Sequence, residues 1–371
     1  MSAGRRLLAL VRLNSVPLYD PGKLRRLLAA CSPEQALELD APSLQTLMGG
    51  TLESAERLRS LSRAFDAEAE LALAERRGIR LLAYDDPAYP AALASLDDAP
   101  PLLYMLGNPA APQTAAGVVG TRTPTPYGRR AARRIAYDLA AAGVCVVSGL
   151  ARGIDSEAHE GALARGGSTW AFLGGGLGHL YPPENEPLAR RIAESGGCVA
   201  SEFALAQEPS KFSFLRRNRL IAALGWAVVV VEARRKSGAL DTAEKAAQLA
   251  REVFAVPGPV DSPQSEGPLD LLQAGSAMCR GAREVLATLP SDLRLAAACE
   301  GPARPGAAKP GSLSLEYEKI LQFVGSDART ADELAAGTGL DAPRLSHILF
   351  EMELQGLLSP VPGQRYAKKD I

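Results

Sequence analysis

Residues 117–176 read GVVGTRTPTPYGRRAARRIAYDLAAAGVCVVSGLARGIDSEAHEGALARGGSTWAFLGGG. Three short apolar runs, GVVG, VCVVSG and STWAFLGG, each close on glycine, and segments with helical spacing lie between them. Strands that are apolar on both faces and alternate with helices belong to a parallel sheet covered on both sides. The alternation continues through CVAS, WAVVVVEA and VFAVPG, with ENEPLARRIAESGG, NRLIAALG and DTAEKAAQLARE as the intervening helical stretches. The pattern predicts an α/β domain over residues 117–290, an open, doubly wound, mostly parallel sheet. Its binding crevice should lie beyond the carboxyl ends of the strands.

On the N-terminal side, residues 1–80 predict short helices: LLALVRLNSV, GKLRRLLAA, EQALELD and the longer SAERLRSLSRAFDAEAELALAERRG. They form an expected small helical domain. Residues 81–116 contain Pro87, Pro90, Pro100 and Pro101, and predict a connector with little regular structure. On the C-terminal side, residues 291–311 include ACEGPARPGAAKPG and predict a flexible linker. Residues 312–371 predict three helices, with Thr330 and Asp341 as N-caps, and then a short hairpin, a winged-helix-like domain. Arg344 and His347 are the basic residues early in its presumed recognition helix, so strong phosphate contact is not expected from that face.

The whole chain of 371 residues suits two or three domains at about 150 residues each. Its 47% hydrophobic and 22% charged residues exclude wholesale disorder. Cys31, Cys145, Cys198, Cys279 and Cys299 form no C-x-x-C pair, which points to a reducing compartment. No clear cleavage site follows the N-terminal apolar run, and no uncharged run reaches the roughly 18 residues of a membrane helix. A cytoplasmic protein without membrane contact is expected. His159, His179 and His347 lack metal-spaced partners, so neither a metal nor a cofactor is expected.

A net charge of −1 conceals strong clustering. Between Thr121 and Tyr137 there are five arginines and no acid, and between Lys211 and Lys236 seven basic residues and one acid, Glu232. Residues 31–110 carry thirteen acids against six arginines and offset that charge. The middle of the chain can therefore present a positive surface. Gly120-Thr121-Arg122 leads into an arginine-rich helix, whose first backbone amides would attract phosphate while Arg122 closes over it. Neither G-x-G-x-x-G nor G-x-x-x-x-G-K-[ST] accompanies this turn, so dinucleotide binding and P-loop hydrolysis lose their usual support.

Ser148 begins the turn after the next strand, SGLARGID, where Asp155 is placed to cap the helix bearing His159. A buried, hydrogen-bonded role fits His159 better than that of a base or ligand. The run Gly174-Gly175-Gly176-Leu177-Gly178-His179 lets backbone approach a ligand, or simply lets loops crowd together. Lys211, Phe214, Arg216, Arg217, Asn218 and Arg219 form the most informative group. A base stacked on Phe214, with Lys211 and Arg217 on backbone phosphates, is how single strands are held without sequence preference. Helical geometry turns Arg216, Arg217 and Arg219 in different directions, so they cannot all share one groove. Phe214 as core and the arginines as a solvated face are the ordinary alternatives. Lys236-Ser237-Gly238 offers a further phosphate contact after the next strand.

The segments GTR (120–122), SGLARGIDSEAHEGAL (148–163), LGGGLGHLYPPEN (173–185), SEF (201–203), FLRRNRLIAAL (214–224), VVVEARRKSGALDTAEKA (229–246) and VFAVPG (253–258) closely resemble the DNA processing protein A family, DprA or Smf. The resemblance implies an extended Rossmann-like fold that binds single-stranded DNA without catalysis, forms homodimers and loads the RecA recombinase during natural transformation. It implies that Arg122, Lys211, Phe214, Arg217 and Lys236 match the family's DNA-contacting positions. With the neighbouring Gly120, Ser148, Asn218 and Arg219 they complete the candidate DNA-binding set. Thr121 stands where the family usually has serine, Gly178 where aspartate is common, and Leu215 where proline precedes the arginine. The competing function is a Rossmann-like enzyme acting on a nucleotide or phosphosugar, although no nucleophile is paired with an oriented base in the sequence.

Overall fold

The computed structural model describes residues 2–17 and 21–289, and near the C-terminus residues 320, 323–324, 329–340, 345, 348–349, 352, 358–361 and 365–368. The chain divides into two compact units, Met1–Gly301 and Pro302–Ile371.

In the first unit, six helices come first: α1 (Ser2–Asn14), α2 (Gly22–Ala30), α3 (Pro33–Glu38), α4 (Ala41–Met48), α5 (Leu52–Ala64) and α6 (Ala67–Arg76). Ser32, Asp40, Thr51 and Asp66 each accept an orphan backbone N–H at a helix start, which is why so short a stretch holds four separate helices. The long segment 54–78 is therefore broken at Asp66 rather than continuous. These helices do not stand apart from the sheet. Val11 of α1 and Ala67 and Ala74 of α6 share a core with Tyr104, Ala171 and Val199, and Glu70 accepts the Leu205 N–H at 2.7 Å.

The sheet has nine strands: β1 (Ile79–Ala83), β2 (Leu102–Gly107), β3 (Ala115–Val119), β4 (Cys145–Ser148), β5 (Thr169–Phe172), β6 (Cys198–Ser201), β7 (Ala227–Val230), β8 (Glu252–Ala255) and β9 (Ala277–Met278). Their order is β1-β2-β6-β5-β4-β3-β7-β8-β9, parallel from β6 to β9 and antiparallel at β1 and β2. The expectation of an irregular connector over 81–116 is overturned here. Pro87, Pro90, Pro100 and Pro101 fall between β1 and β2, around the short helix α7 (Ala91–Ala94), and the apolar LLYMLG run pairs with β6 and buries Leu102, Leu103, Tyr104 and Met105. Prolines in the turn leave a strand's hydrogen bonds intact.

Helices α8 (Pro126–Ala141), α9 (Ile154–Ala164), α10 (Glu186–Glu194), α11 (Lys211–Leu224), α12 (Gly238–Gln248), α13 (Glu266–Gln273) and α14 (Ala282–Ala287) cover the sheet. Two buried clusters, one around Val147, Phe172 and Val228 and one around Val118, Ile135 and Val229, lie on its two faces, as the alternation of neighbouring Val228 and Val229 requires.

In the second unit, β10 (Arg329–Thr330), β11 (Leu358–Val361) and β12 (Arg365–Lys368) form an antiparallel sheet in the order β10-β12-β11. Helix α15 (Ala331–Thr338) starts on a capping box between Thr330 and Glu333 and ends on Gly339 at φ 71°. Ile320, Val324, Leu334, Leu345, Ile348, Leu349, Met352 and Leu358 make its core. The linker expected at 291–311 and the expectations for Asp341, Arg344 and His347 lie outside the described residues. Among the described residues, no helix is long and apolar enough to cross a membrane.

Candidate nucleic-acid interface

Strand order reverses at β3, with β4, β5 and β6 to one side and β7, β8 and β9 to the other. In an open α/β sheet the crevice opens beyond the strand ends at such a point. A groove of about 810 Å³ lies there. Gly120, Thr121 and Arg122 follow β3 into it, Lys211, Phe214, Arg217 and Asn218 enter from α11, and Arg234 and Lys236 follow β7.

Ser210 starts α11 with a capping box to Ser213, whose hydroxyl also donates to the Gly174 carbonyl. This ties the first turn of α11 to the glycine-rich loop. A Cβ at Gly174 would sit 2.6 Å from the Phe214 ring, so the loop needs glycine there to receive the aromatic. Phe214 is half-buried, with the Arg122 guanidinium 4.9 Å from its centroid. Sequence positions 92 residues apart thus meet in one cation–π contact.

Arg217, only 4% exposed, lies deeper. One of its terminal nitrogens donates to the Phe172 carbonyl, while Nε is buried without a partner. Burial lowers its pKa to about 10; Asp155 opposes that shift and Arg122 adds to it. A Cβ at Gly149 would run into this guanidinium. Asp155 is buried beneath the groove, and burial pushes its carboxyl up despite the pull of Arg217. It does not cap α9. Its Oδ2 accepts the N–H groups of Gly149 and Ala151 at 3.1 and 3.3 Å, bracing the turn, while Gly153 is the cap residue. His159 is fully buried against the Thr169 hydroxyl, 2.7 Å from Nδ1.

Several expected contacts are redirected. The N-terminus of α8 does not offer its amides to the groove, because the buried Glu232 carboxylate accepts the Thr125 N–H at 2.9 Å and its hydroxyl at 2.5 Å. The lone acid of the basic segment therefore occupies the place proposed for phosphate. Arg129 and Arg133 of α8 pair with Glu157, and Arg134 with Asp138. Ser148 is fully buried, donating to Val118 O at 2.6 Å, and does not line the groove. Arg219 points away from it, held by the buried Glu202 at 2.8 Å and by Asp98 at 2.7 Å. Burial raises the Glu202 carboxyl, but Arg216 and Arg219 outweigh that effect and hold it below its usual value. Ser148 and Arg219 are thus corrected from DNA-contacting to structural positions. Asn218 lines the groove but spends its amide on Gly238 O and Asp241 at 3.1 and 2.8 Å.

Lys236 adopts φ 61°, uncommon for a residue with a side chain, at the turn into α12. Ser237 is the α12 cap residue, yet its hydroxyl makes no cap bond and is buried without a partner. Arg234, missed by motif reading, lines the groove, whereas Arg235 pairs with Asp270 at 2.9 Å. Asp241 of α12, which also lines the groove, is engaged by Lys245 at 2.5 Å. Arg122, Lys211, Arg234 and Lys236 are exposed cations around a half-buried aromatic, an arrangement suited to a polyanion carrying flat bases. No group of three or more metal-ligating side chains occurs among the described residues.

Residues 80–290 match the DNA recombination-mediator protein A family, and residues 303–364 match the DprA winged helix domain. Protein Smf of Escherichia coli is 37% identical over 327 residues, covering 88% of this chain and 86% of the relative. DNA processing protein DprA of Bacillus subtilis is 32% identical over 286 residues, covering 76% and 94%. Among solved structures, DNA processing protein A from Streptococcus pneumoniae aligns at TM-score 0.64 and 30% identity, covering 76% of this chain and 96% of that one. The Helicobacter pylori protein, described for its single-stranded DNA binding mode, aligns at TM-score 0.52 and 31% identity, covering 58% and 96%.

Proposed function

The chain belongs to the DNA recombination-mediator protein A family, and from that premise we propose that it binds single-stranded DNA in the β3–β7 groove, as a non-catalytic mediator. The reading extends to natural transformation: a homodimer in the cytoplasm holds incoming strands and loads the RecA recombinase on them. The observation that carries it is the convergence of Arg122, Lys211, Arg217 and Lys236, from three separate segments, around Phe214. The exposed cations neutralise phosphates, and Phe214 stacks a base. A duplex is a poorer ligand, because its bases must unpair before one can enter.

Salt titration of binding to a short oligothymidylate tests this. Each phosphate neutralised contributes a slope of about −0.7 in log K against log salt. Replacing Arg122, Lys211 and Lys236 together by alanine should flatten the slope by about 2, from three such contacts. An unchanged slope would place the strand elsewhere on the molecule. RecA filament formation on strands precoated with a single-strand binding protein, with and without this protein, tests the mediator step.

A further inference from the structure

The Phe214 ring does not stand alone. Tyr181, from the loop after β5, lies with its ring centroid 6.0 Å from that of Phe214, the planes tilted by 52°. The Arg152 guanidinium lies 5.7 Å from the Tyr181 ring. Neither residue lines the β3–β7 groove; with Arg122, Pro182 and Phe214 they border a separate shallow cleft on its flank.

We propose that Tyr181 is a second base-stacking position, so that consecutive bases of a single strand take separate rings as the strand leaves the groove past Phe214. The inference rests on the single-strand reading above. A single base sandwiched between both rings would need them parallel and about 7 Å apart, twice the roughly 3.4 Å spacing of stacked bases. Rings at 6.0 Å and 52° cannot provide that, so each ring would take its own base, on the face that its guanidinium does not cover. Tyr181 keeps 39% of its surface exposed, so a base can reach it from solvent.

The loop bearing Tyr181 is fixed before any ligand arrives. Asn185 Nδ2 donates to Leu150 O at 2.8 Å and Ser156 Oγ at 2.9 Å, and Gly176 and Gly178 donate to Gln207 O and Leu205 O at 2.8 and 2.9 Å. A loop already anchored gives up little backbone freedom when its ring stacks. The acid on this flank, Glu184, is ion-paired to Arg152. Arg152 thereby removes a charge that would repel a phosphate.

The test is fluorescence polarisation with a labelled oligothymidylate of about ten nucleotides at fixed salt, using the full chain. Base–aromatic stacking corresponds to between about 5-fold and about 150-fold in affinity. Tyr181→Ala is expected to weaken binding within that range, Tyr181→Phe to stay within about twofold of wild type, and Tyr181→Ala with Phe214→Ala to bind more weakly than either single variant. Thermal unfolding should be nearly unchanged in Tyr181→Ala. If Tyr181→Ala binds like wild type while Phe214→Ala is weakened, the second stacking position is wrong and the groove reading stands. Equal losses in Tyr181→Phe and Tyr181→Ala would also overturn it, since the ring would not be the active part. A wild-type protein that binds no oligomer would remove the function itself, and this inference with it.

Discussion

The Arg122 guanidinium carbon lies 4.9 Å from the centroid of the Phe214 ring. The contact joins the turn after β3 to the first turns of α11, and it covers the ring that would stack a base. It also adds a like charge beside Arg217, contributing to that group's lowered pKa. Arg122 thus both shields the aromatic and concentrates positive charge at the groove floor.

Phe214→Ala should lower single-strand affinity by about 1–3 kcal/mol through lost stacking. In the free protein, a double-mutant cycle of Arg122→Ala and Phe214→Ala should show a coupling of about 0.5–1 kcal/mol, the value for an exposed cation–π pair. Urea denaturation supplies the cycle. A coupling near zero would mean that the contact does not hold Arg122 in solution.

Arg219 should behave in the opposite way. The residue is 6% exposed, and its guanidinium serves the fully buried Glu202 carboxylate together with Arg216. Arg219→Ala leaves that carboxylate partly uncompensated and should cost about 3–5 kcal/mol of stability. Strand binding by the protein that remains folded should change little. Lys211→Ala, at an exposed groove position, should alter stability by at most about 0.5 kcal/mol and weaken binding. Urea midpoints set beside binding curves for the two variants separate these roles.

That contrast shows where sequence pattern stops. The parallel core was legible because strands such as AVVV, buried on both faces, need no partner information to be recognised. The strand LLYMLG was obscured by nearby prolines, which lie in the turns and not in the ladder. Lys211, Phe214 and Arg217 were legible as a group because one helix carries them. Arg219 was misjudged because its acids, Asp98 and Glu202, are distant in sequence, and a charge cluster reveals nothing of its long-range partners. The phosphate site expected at the start of α8 failed for the same reason: Glu232, which fills it, lies 107 residues from Thr125. Tyr181 lies in the family-like segment 173–185, but nothing in that pattern marks it as a stacking position.

His159 makes stability depend on pH. Burial, with a further contribution from Arg217, lowers its pKa to about 3, against about 6.5 in an unfolded chain. The unfolded state therefore binds a proton that the folded state refuses between these values, so this contribution is complete above pH 6.5 and declines as pH falls toward 3. From pH 6.5 to 5 the loss should be about 2 kcal/mol. His159→Gln, which does not titrate, should show a flatter profile over this interval even if less stable at pH 7. Chemical denaturation at a series of pH values gives both curves, and parallel profiles would contradict a buried neutral imidazole.

Gly178 stands where aspartate is common in the family, yet returning that residue should not help. Its N–H donates to Leu205 O at 2.9 Å, its carbonyl accepts from Arg77 at 2.7 Å, and a Cβ would run into the Leu205 carbonyl. The obstacle is backbone and cannot rotate aside as a side chain would. Gly178→Ala and Gly178→Asp should both destabilise by about 1–3 kcal/mol, the usual cost of overpacking. Because the strain enters at the Cβ, the two should lose similar amounts, which thermal unfolding can compare directly. A stable Gly178→Asp beside a weakened Gly178→Ala would instead mean that the carboxylate finds a partner strong enough to offset the displaced loop.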